Sequence, residues 1–297
     1  MLAHSKHTRI TTPGCAVIND KIGLGKFIVR GIRVGAPVHT RLSSYNGGPW
    51  RVYVRKLMSI RAVTYNIGGG KSGFSVDRIA AALKSINADV VCLQEVSGEN
   101  IYKTQAHALA SCLRMNCVFA STHQSPIFGN AILSRWPIHS THQIPLPRGS
   151  SSRDKHRAAL AVIVSPFRHR PGYDFWCLCT QLGAYNNKDQ ASGACTKPLK
   201  YIRDFVQHPT RKTMPALLLA DLNATPGGAS LNFLEKNWNV YSQYDTCFTT
   251  VTPNEKLDHI LDRSRGRWVA GRQWVAPSAL SSSGHVPLVG EFHVIPE

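Results

Sequence analysis

The chain of 297 residues is 43% hydrophobic and carries 35 Lys and Arg against 17 Asp and Glu, a net charge of +18. That apolar content excludes a disordered polymer, and no apolar run approaches the roughly 20 residues of a membrane-spanning helix. A charge excess this large makes a polyanion the expected partner: nucleic acid, an anionic surface or a phosphorylated substrate.

Charge is spread unevenly. Residues 1–57 hold ten Lys and Arg and one acid, Asp20, and so carry +9; residues 58–297 carry 25 against 16, also +9. The first 57 residues are basic, nearly acid-free and rich in Thr, Ser, Gly and His. They read as an N-terminal extension, either an organelle (mitochondrial) transit segment or a polybasic arm kept on the mature protein. Met58 makes a natural start for a compact domain over 58–297.

From there, strand and helix signals alternate. Ile60–Ile67 is strand-like, and Val76, Ile79, Ala80, Leu83 and Ile86 recur at helical spacing, predicting an amphipathic helix over 75–87. Asp89–Gln94 reads as a buried strand and 99–114 as a second helix. Strands are expected at Ala131–Ser134, Ala158–Val164 and Phe175–Thr180, then a helix over 188–207 with an irregularity at Pro198. Ala216–Ala220 is a strand and 228–236 a short helix; Leu257–Leu261, Trp268–Val275 and Leu288–Val294 are late strands. The loop PLPRGSSSRDKHR at 145–157 is polar and basic. Many strands with interspersed helices and no repeat predict a mixed α/β domain. The eight cysteines include no CxxC pair and several lie in apolar runs, so they are expected as buried free thiols in a reducing compartment.

The stretch TYNIGGGKSG at Thr64–Gly73 imitates a phosphate-binding loop, but the opening glycine should fall at Tyr65, so the pattern fails and reads as a glycine turn after a strand. Polar residues, by contrast, repeatedly terminate apolar strands. Asn66 ends VTYN, Gln94 and Glu95 end DVVCLQE, and Gln181 follows FWCLCT; Asp221 and Asn223 follow PALLLA, Asp258 lies in KLDHIL, and His285 precedes PLVGEF. Each has a bland explanation alone, as a cap, a turn or a structural histidine. Together they supply what metal-assisted phosphodiester chemistry needs: oxygen ligands for a hard cation and an imidazole held by a carboxylate.

With VTYNIGG, DVVCLQEV, FGNAILSRWPI, CTQLG, LLLADLNATPGG, KLDHIL and SSSGHVPLVGEF in this order, the sequence resembles the endonuclease/exonuclease/phosphatase (DNase I-like) superfamily, over about residues 58–297 and best its small bacterial-type members. The resemblance implies a four-layer α/β/β/α sandwich of two packed mixed β-sheets flanked by helices. It implies Glu95 as the main ligand of Mg²⁺ (or Mn²⁺), with Asn66 beside it contacting metal or phosphate. Asp221 would orient or deprotonate the attacking water, with Asn223 next to it in an extended D-x-N segment. His285 would contact the scissile phosphate, oriented by Asp258, and Arg157 would be a phosphate contact.

Two departures stand out. The family usually has histidine where Gln181 stands, and Ser-Asp-His where this chain has Ser283-Gly284-His285. Glutamine donates a hydrogen bond but cannot shuttle a proton near neutral pH. Two functions follow from the residues: a Mg²⁺-dependent phosphodiesterase acting on nucleic acid or another phosphodiester, or a catalytically impaired fold serving as an RNA-binding subunit of a ribonucleoprotein such as a mitochondrial ribosome.

Overall fold

The structure, a computed structural model, describes residues 58–69, 75–123, 127–147, 156–167, 171–184, 193–240, 248–251, 254–276 and 284–295, together with the backbone of five strands between residues 6 and 56. Those five are β1 (Lys6–Arg9), β2 (Cys15–Asn19), β3 (Lys26–Arg30), β4 (Pro37–Ser43) and β5 (Arg51–Lys56). They form a three-stranded antiparallel sheet, β1-β4-β5, and a β2–β3 hairpin pair. Contacts divide the chain into a unit of Met1–Ser59 with His293–Glu297 and a unit of Ile60–Phe292.

The larger unit is built on two sheets. In the first, β6 (Ser59–Asn66) runs parallel to β7 (Val90–Asn100), joined by α1 (Val76–Ile86). Helix α1 is set by its ends and its apolar stripe. The Ser75 hydroxyl accepts from Arg78 N, Asn87 closes the C-terminus in the left-handed conformation, and Ile79, Ala80, Leu83 and Ile86 are buried. The short β8 (Lys103–Thr104) pairs back on β7, and α2 (Gln105–Leu113) follows. Strands β9 (Asn116–His123) and β10 (Ile127–Ser134) complete this edge, giving the order β17-β18-β6-β7-β10-β9 once β17 (Trp268–Val275) and β18 (Leu288–Val294) are added.

The second sheet repeats the device. Strand β13 (Phe175–Gln181) runs parallel to β14 (Ala216–Asp221), joined by α3 (Lys197–Gln207). With β11 (Ile138–Leu146), β12 (Arg157–Val164), β15 (Asn239–Val240) and β16 (Asp258–Arg263), the order is β11-β12-β13-β14-β16-β15; α4 (Ala229–Leu234) follows β14.

Side chains alternate across each strand. Val63, Tyr65, Val91 and Leu93 face α1 and α2 in one core, and Ala159, Ala161, Leu178, Leu218 and Ala220 face α3 in another. The intervening residues meet between the sheets, where Cys92 Sγ lies 3.6 Å from Cys177 Sγ. The central strands are therefore covered on both faces and read as continuous apolar runs. The result is the expected four-layer α/β/β/α sandwich. Among the described cysteines, Cys92, Cys177, Cys179 and Cys195 are buried free thiols; Cys112 is exposed and Cys117 half-buried.

Three expectations need correction. The second helix starts at Gln105, not 99, because β7 continues to Asn100, β8 turns back on it, and the Thr104 hydroxyl caps the helix by accepting from His107 N. Pro198 causes no irregularity: it lies in the first turn of α3, where a missing N–H costs nothing. Among the described residues that helix begins at Lys197, after a 3₁₀ turn at Ala194–Thr196, and its expected start at 188 lies outside them. Strands β9 and β11 carry no clear sequence signal because both are edge strands with one weakly covered face, β11 even holding Pro145. No helix among the described residues is long and apolar enough to cross a membrane.

Candidate active site

Strand register explains why the polar termini meet. Asn66, at the carboxyl end of β6, is paired with Gln94 near the middle of β7, and Gln181 is paired with Asp221 at the carboxyl end of β13 and β14. Strand β16 runs antiparallel to β14, so its first residue, Asp258, lies opposite Asp221. An isolated bridge between Thr250 and His285 brings the histidine to the same end.

Glu95 reaches this cluster through a β-bulge. Gly129 pairs with Val96 and Ala131 with Leu93, so Gln94 and Glu95 together oppose the single residue Asn130. Glu95 adopts φ 55°, a left-handed conformation that costs a non-glycine residue roughly 1–2 kcal/mol. Such bulges re-aim side chains, and local strain of this kind concentrates at functional sites. The glycines after Asn66 acquire their meaning here. Gly69 N donates to the Glu95 carbonyl at 2.7 Å, and a Cβ on Gly69 would lie 2.1 Å from that oxygen. Gly69→Ala is therefore expected to displace the Glu95 backbone and lower stability by about 1–3 kcal/mol in chemical denaturation. Wild-type stability would show that the contact is not constraining.

Two amides hold two carboxylates together. Asn66 Nδ2 donates to Glu95 Oε1 at 3.2 Å and to Asp221 Oδ2 at 2.9 Å. Gln181 Nε2 donates to the same two oxygens at 2.7 and 3.1 Å. Arg157 Nη1 donates to Gln181 Oε1, which fixes the orientation of that amide. Asn66 Oδ1 accepts from Gly68 N at 3.0 Å, so its carbonyl shapes the glycine turn. Asp221 is 1% exposed; burial and the nearby Asp258 charge raise its carboxyl to about 6, against the opposing pull of His285, Asn66 and the Asn223 N–H.

His285 Nδ1 lies 2.7 Å from Asp258 Oδ2. Burial opposes its protonation, but the Asp258 hydrogen bond and the charges of Asp258, Asp221 and Glu95 outweigh burial and raise the imidazole to about 9. The Asp258 backbone is in turn fixed by Thr249, whose hydroxyl accepts from Asp258 N at 3.1 Å.

The D-x-N segment is not extended. Asn223 takes φ 47°, its N–H donates to Asp221 Oδ1 at 3.1 Å, and its Nδ2 donates to the Leu182 carbonyl at 2.9 Å. The turn forms because a short amide side chain tolerates the left-handed region, and it clamps the loop after β14 to the loop after β13. Two further supports escape the strand-end pattern because they sit within runs. Asn130 Nδ2 donates to the Ala158 carbonyl at 2.9 Å, tying β10 to β12 beside Arg157. His259, fully buried, hydrogen-bonds the Ala224 carbonyl at 2.7 Å from below the same loop.

Burial lowers His259 to about 4. The unfolded chain therefore takes up a proton near pH 6.5 that the folded chain refuses. This contribution is complete above pH 6.5 and is lost as pH falls towards 4, about 3 kcal/mol in all. Asp221, raised in the fold, acts in the opposite sense below pH 6, so the difference between wild type and His259→Gln is the quantity to measure. Urea unfolding at pH 7.5 and 4.5 is expected to show a smaller acid loss in the variant; equal losses would remove His259 as the cause.

The residues fit a hard divalent cation. Asp221, Asp258 and His285 offer ligand atoms within 4.8 Å of one another, and Asp258 Oδ1 is buried with no hydrogen-bond partner among the described residues. Glu95 adds a third carboxylate through the amides it shares with Asp221.

Two back-to-back mixed sheets with acids, amides and an imidazole gathered at one end define a DNase I-like sandwich. The chain belongs to the Endonuclease/Exonuclease/phosphatase family, whose model matches residues 63–287. No curated protein matches it in sequence. Among solved structures, an endonuclease/exonuclease/phosphatase from Bacteroides vulgatus is similar with a TM-score of 0.64 at 14% identity, over 80% of this chain and 100% of that one. The human Nocturnin catalytic domain with bound sulfate gives 0.60 at 20% identity, over 80% and 94%. ANGEL2, a 2′,3′-cyclic phosphatase in complex with adenosine-2′,3′-vanadate, gives 0.61 at 15% identity, over 80% and 96%. These likenesses establish the fold.

Proposed function

We propose that the protein is a metal-dependent phosphodiesterase acting on nucleic acid. The observation that carries this reading is the convergence of Glu95 from one sheet with Asp221, Asp258 and His285 beside the other, with two amides holding the first two acids together. Mg²⁺ or Mn²⁺, held by Glu95 and Asp221 with Asp258 beside them, would neutralise phosphate charge and acidify water. Asn66 and Gln181 fix the carboxylates, and Asp221 accepts a proton from water. Asp258 holds the His285 ring through Nδ1 and directs its other nitrogen to a phosphate oxygen. Arg157 sets Gln181 and adds positive charge for the substrate. A net charge of +18 favours a polyanionic substrate, and a structural neighbour described as a 2′,3′-cyclic phosphatase, in complex with adenosine-2′,3′-vanadate, supports a nucleotide ester.

A second reading is favoured by Gln181 itself. Engaged with Arg157, Glu95 and Asp221 at once, it fills the place of a proton-transferring group with one that cannot titrate. On that reading the fold is an RNA-binding subunit, with the basic 1–57 segment as an added arm. Labelled single- and double-stranded RNA and DNA, incubated with the full chain and Mg²⁺ or Mn²⁺, decide between them. Cleavage that disappears in Glu95→Ala/Asp221→Ala supports the enzyme; tight, salt-sensitive binding without cleavage in either protein sinks it.

A further inference from the structure

Far from the reaction centre, the six-stranded sheet borders an open cavity of about 520 Å³. Register places it: Asp221 pairs with Asp258 at one end of β14 and β16, and Ala216 pairs with Arg263, which lines the cavity, at the other. Five residue steps of strand separate the two ends, roughly 17 Å. The lining carries Lys212, Lys236, Arg263 and Arg265 against a single acid, Glu235, so four positive charges face one negative.

Lys212, Lys236, Arg265 and Glu235 are exposed, and their charges are met by water. Arg263 is less accessible, only 8% exposed, with its guanidinium nitrogens still within reach of water from the cavity. Its guanidinium lies 5.8 Å from the ring centre of Trp238, and among the described residues it has neither a carboxylate at ion-pair distance nor a hydrogen-bond acceptor. Asp262, its neighbour in the chain, is turned inward and accepts from Trp268 Nε1 at 2.9 Å. The indole Nε1 of Trp238, on the same cavity wall, is also buried without an acceptor. Buried donors are nearly always paired, so the Trp238 Nε1 on this wall is a donor that lacks its acceptor among the described residues. Burial, and after it the charge of Arg265, already lowers Arg263 to about 10.

We propose that this cavity is a second anion site that takes a phosphate group, with Arg263 as its fork and Lys212, Lys236 and Arg265 as its rim. A phosphate offers the several acceptor oxygens that a planar guanidinium engages in pairs, and its charge suits a lining of excess positive sign. The group could come from a free phosphate or from the backbone of a nucleic-acid strand, and the two sources are separable by experiment.

Inorganic phosphate and a short single-stranded RNA are titrated calorimetrically into the full chain. Wild type is compared with Lys212→Ala/Lys236→Ala, which alters two exposed side chains, with Arg263→Gln, and with Asp221→Asn. Saturable phosphate binding is expected, weakened roughly tenfold or more in both cavity variants and unchanged in Asp221→Asn. A parallel loss of RNA affinity assigns the site to a backbone phosphate; unchanged RNA affinity assigns it to free phosphate. If Arg263→Gln does not fold, the lysine pair decides. The proposal is overturned if wild type shows no saturable phosphate binding, if Lys212→Ala/Lys236→Ala binds phosphate like wild type, or if only Asp221→Asn loses it.

Discussion

Asp221→Asn is expected to lower phosphodiester turnover by roughly 10³-fold or more while leaving a folded protein. The buried carboxylate serves two networks at once: Oδ2 accepts from Asn66 and Gln181, and Oδ1 accepts from Asn223 N. An asparagine has the same shape but only one acceptor oxygen, so one network must meet an NH₂ group instead. The lost hydrogen bond costs about 1–2 kcal/mol, partly offset because a buried charge is no longer desolvated. Stability therefore changes little, while the group proposed to take a proton from water is gone. The check is single-turnover cleavage at saturating enzyme, with chemical denaturation alongside. More than a tenth of wild-type turnover in a well-folded variant would remove Asp221 from the reaction.

Sandwich and site were legible to different depths. Central strands read clearly, because both their faces are buried and their apolar runs end abruptly in a polar residue: Asn66, Gln181, Asp221. Those abrupt ends were also the site, since two parallel βαβ units place carboxyl ends side by side. What sequence did not show was how each side chain is turned. The spacing of Asp221 and Asn223 suggested an extended segment with both groups on one face. In the fold, Asn223 enters the left-handed region and bonds to Leu182. A single left-handed residue leaves no periodic trace. Nor did the sequence show that Glu95 owes its position to a bulge opposite Asn130, because a bulge is a property of two strands paired in register. The edge strands β9 and β11 were missed for the reverse reason: half-covered and partly polar, they lack the run that marks their neighbours.

Gln181 is the departure that structure clarifies most. Read alone, a glutamine in place of histidine suggests loss. In the fold it is the centre of a chain of contacts from Arg157 through both carboxylates. An amide offers two N–H groups for two carboxylate oxygens and a carbonyl for a guanidinium; a neutral imidazole has only one N–H, and an imidazolium has no acceptor. Gln181 and Arg157 thus form a matched pair, and under the proposed function proton transfer would fall to Asp221 and His285.

His285→Ala is accordingly expected to reduce turnover by about 10²–10⁴-fold, the usual range for an acid–base group, and Asp258→Asn by nearly as much. Asp258 is fully buried and its Oδ2 meets His285 Nδ1 at 2.7 Å. An asparagine there keeps the shape but can present its NH₂ to the ring, favouring the wrong tautomer and no longer stabilising a charged imidazole. Because Asp258 acts through His285, the two losses should not add: the double variant His285→Ala/Asp258→Asn should be no slower than His285→Ala alone within about threefold. Measured turnover of the three variants forms the cycle. Multiplicative losses would mean that Asp258 has a separate task, and its second oxygen, buried without a partner among the described residues, directs that alternative to the cation site. Metal affinity, followed by titrating Mn²⁺ into wild type and Asp258→Asn, then separates the two roles: an unchanged affinity leaves Asp258 as the positioning residue of His285, and a loss of tenfold or more makes it a ligand.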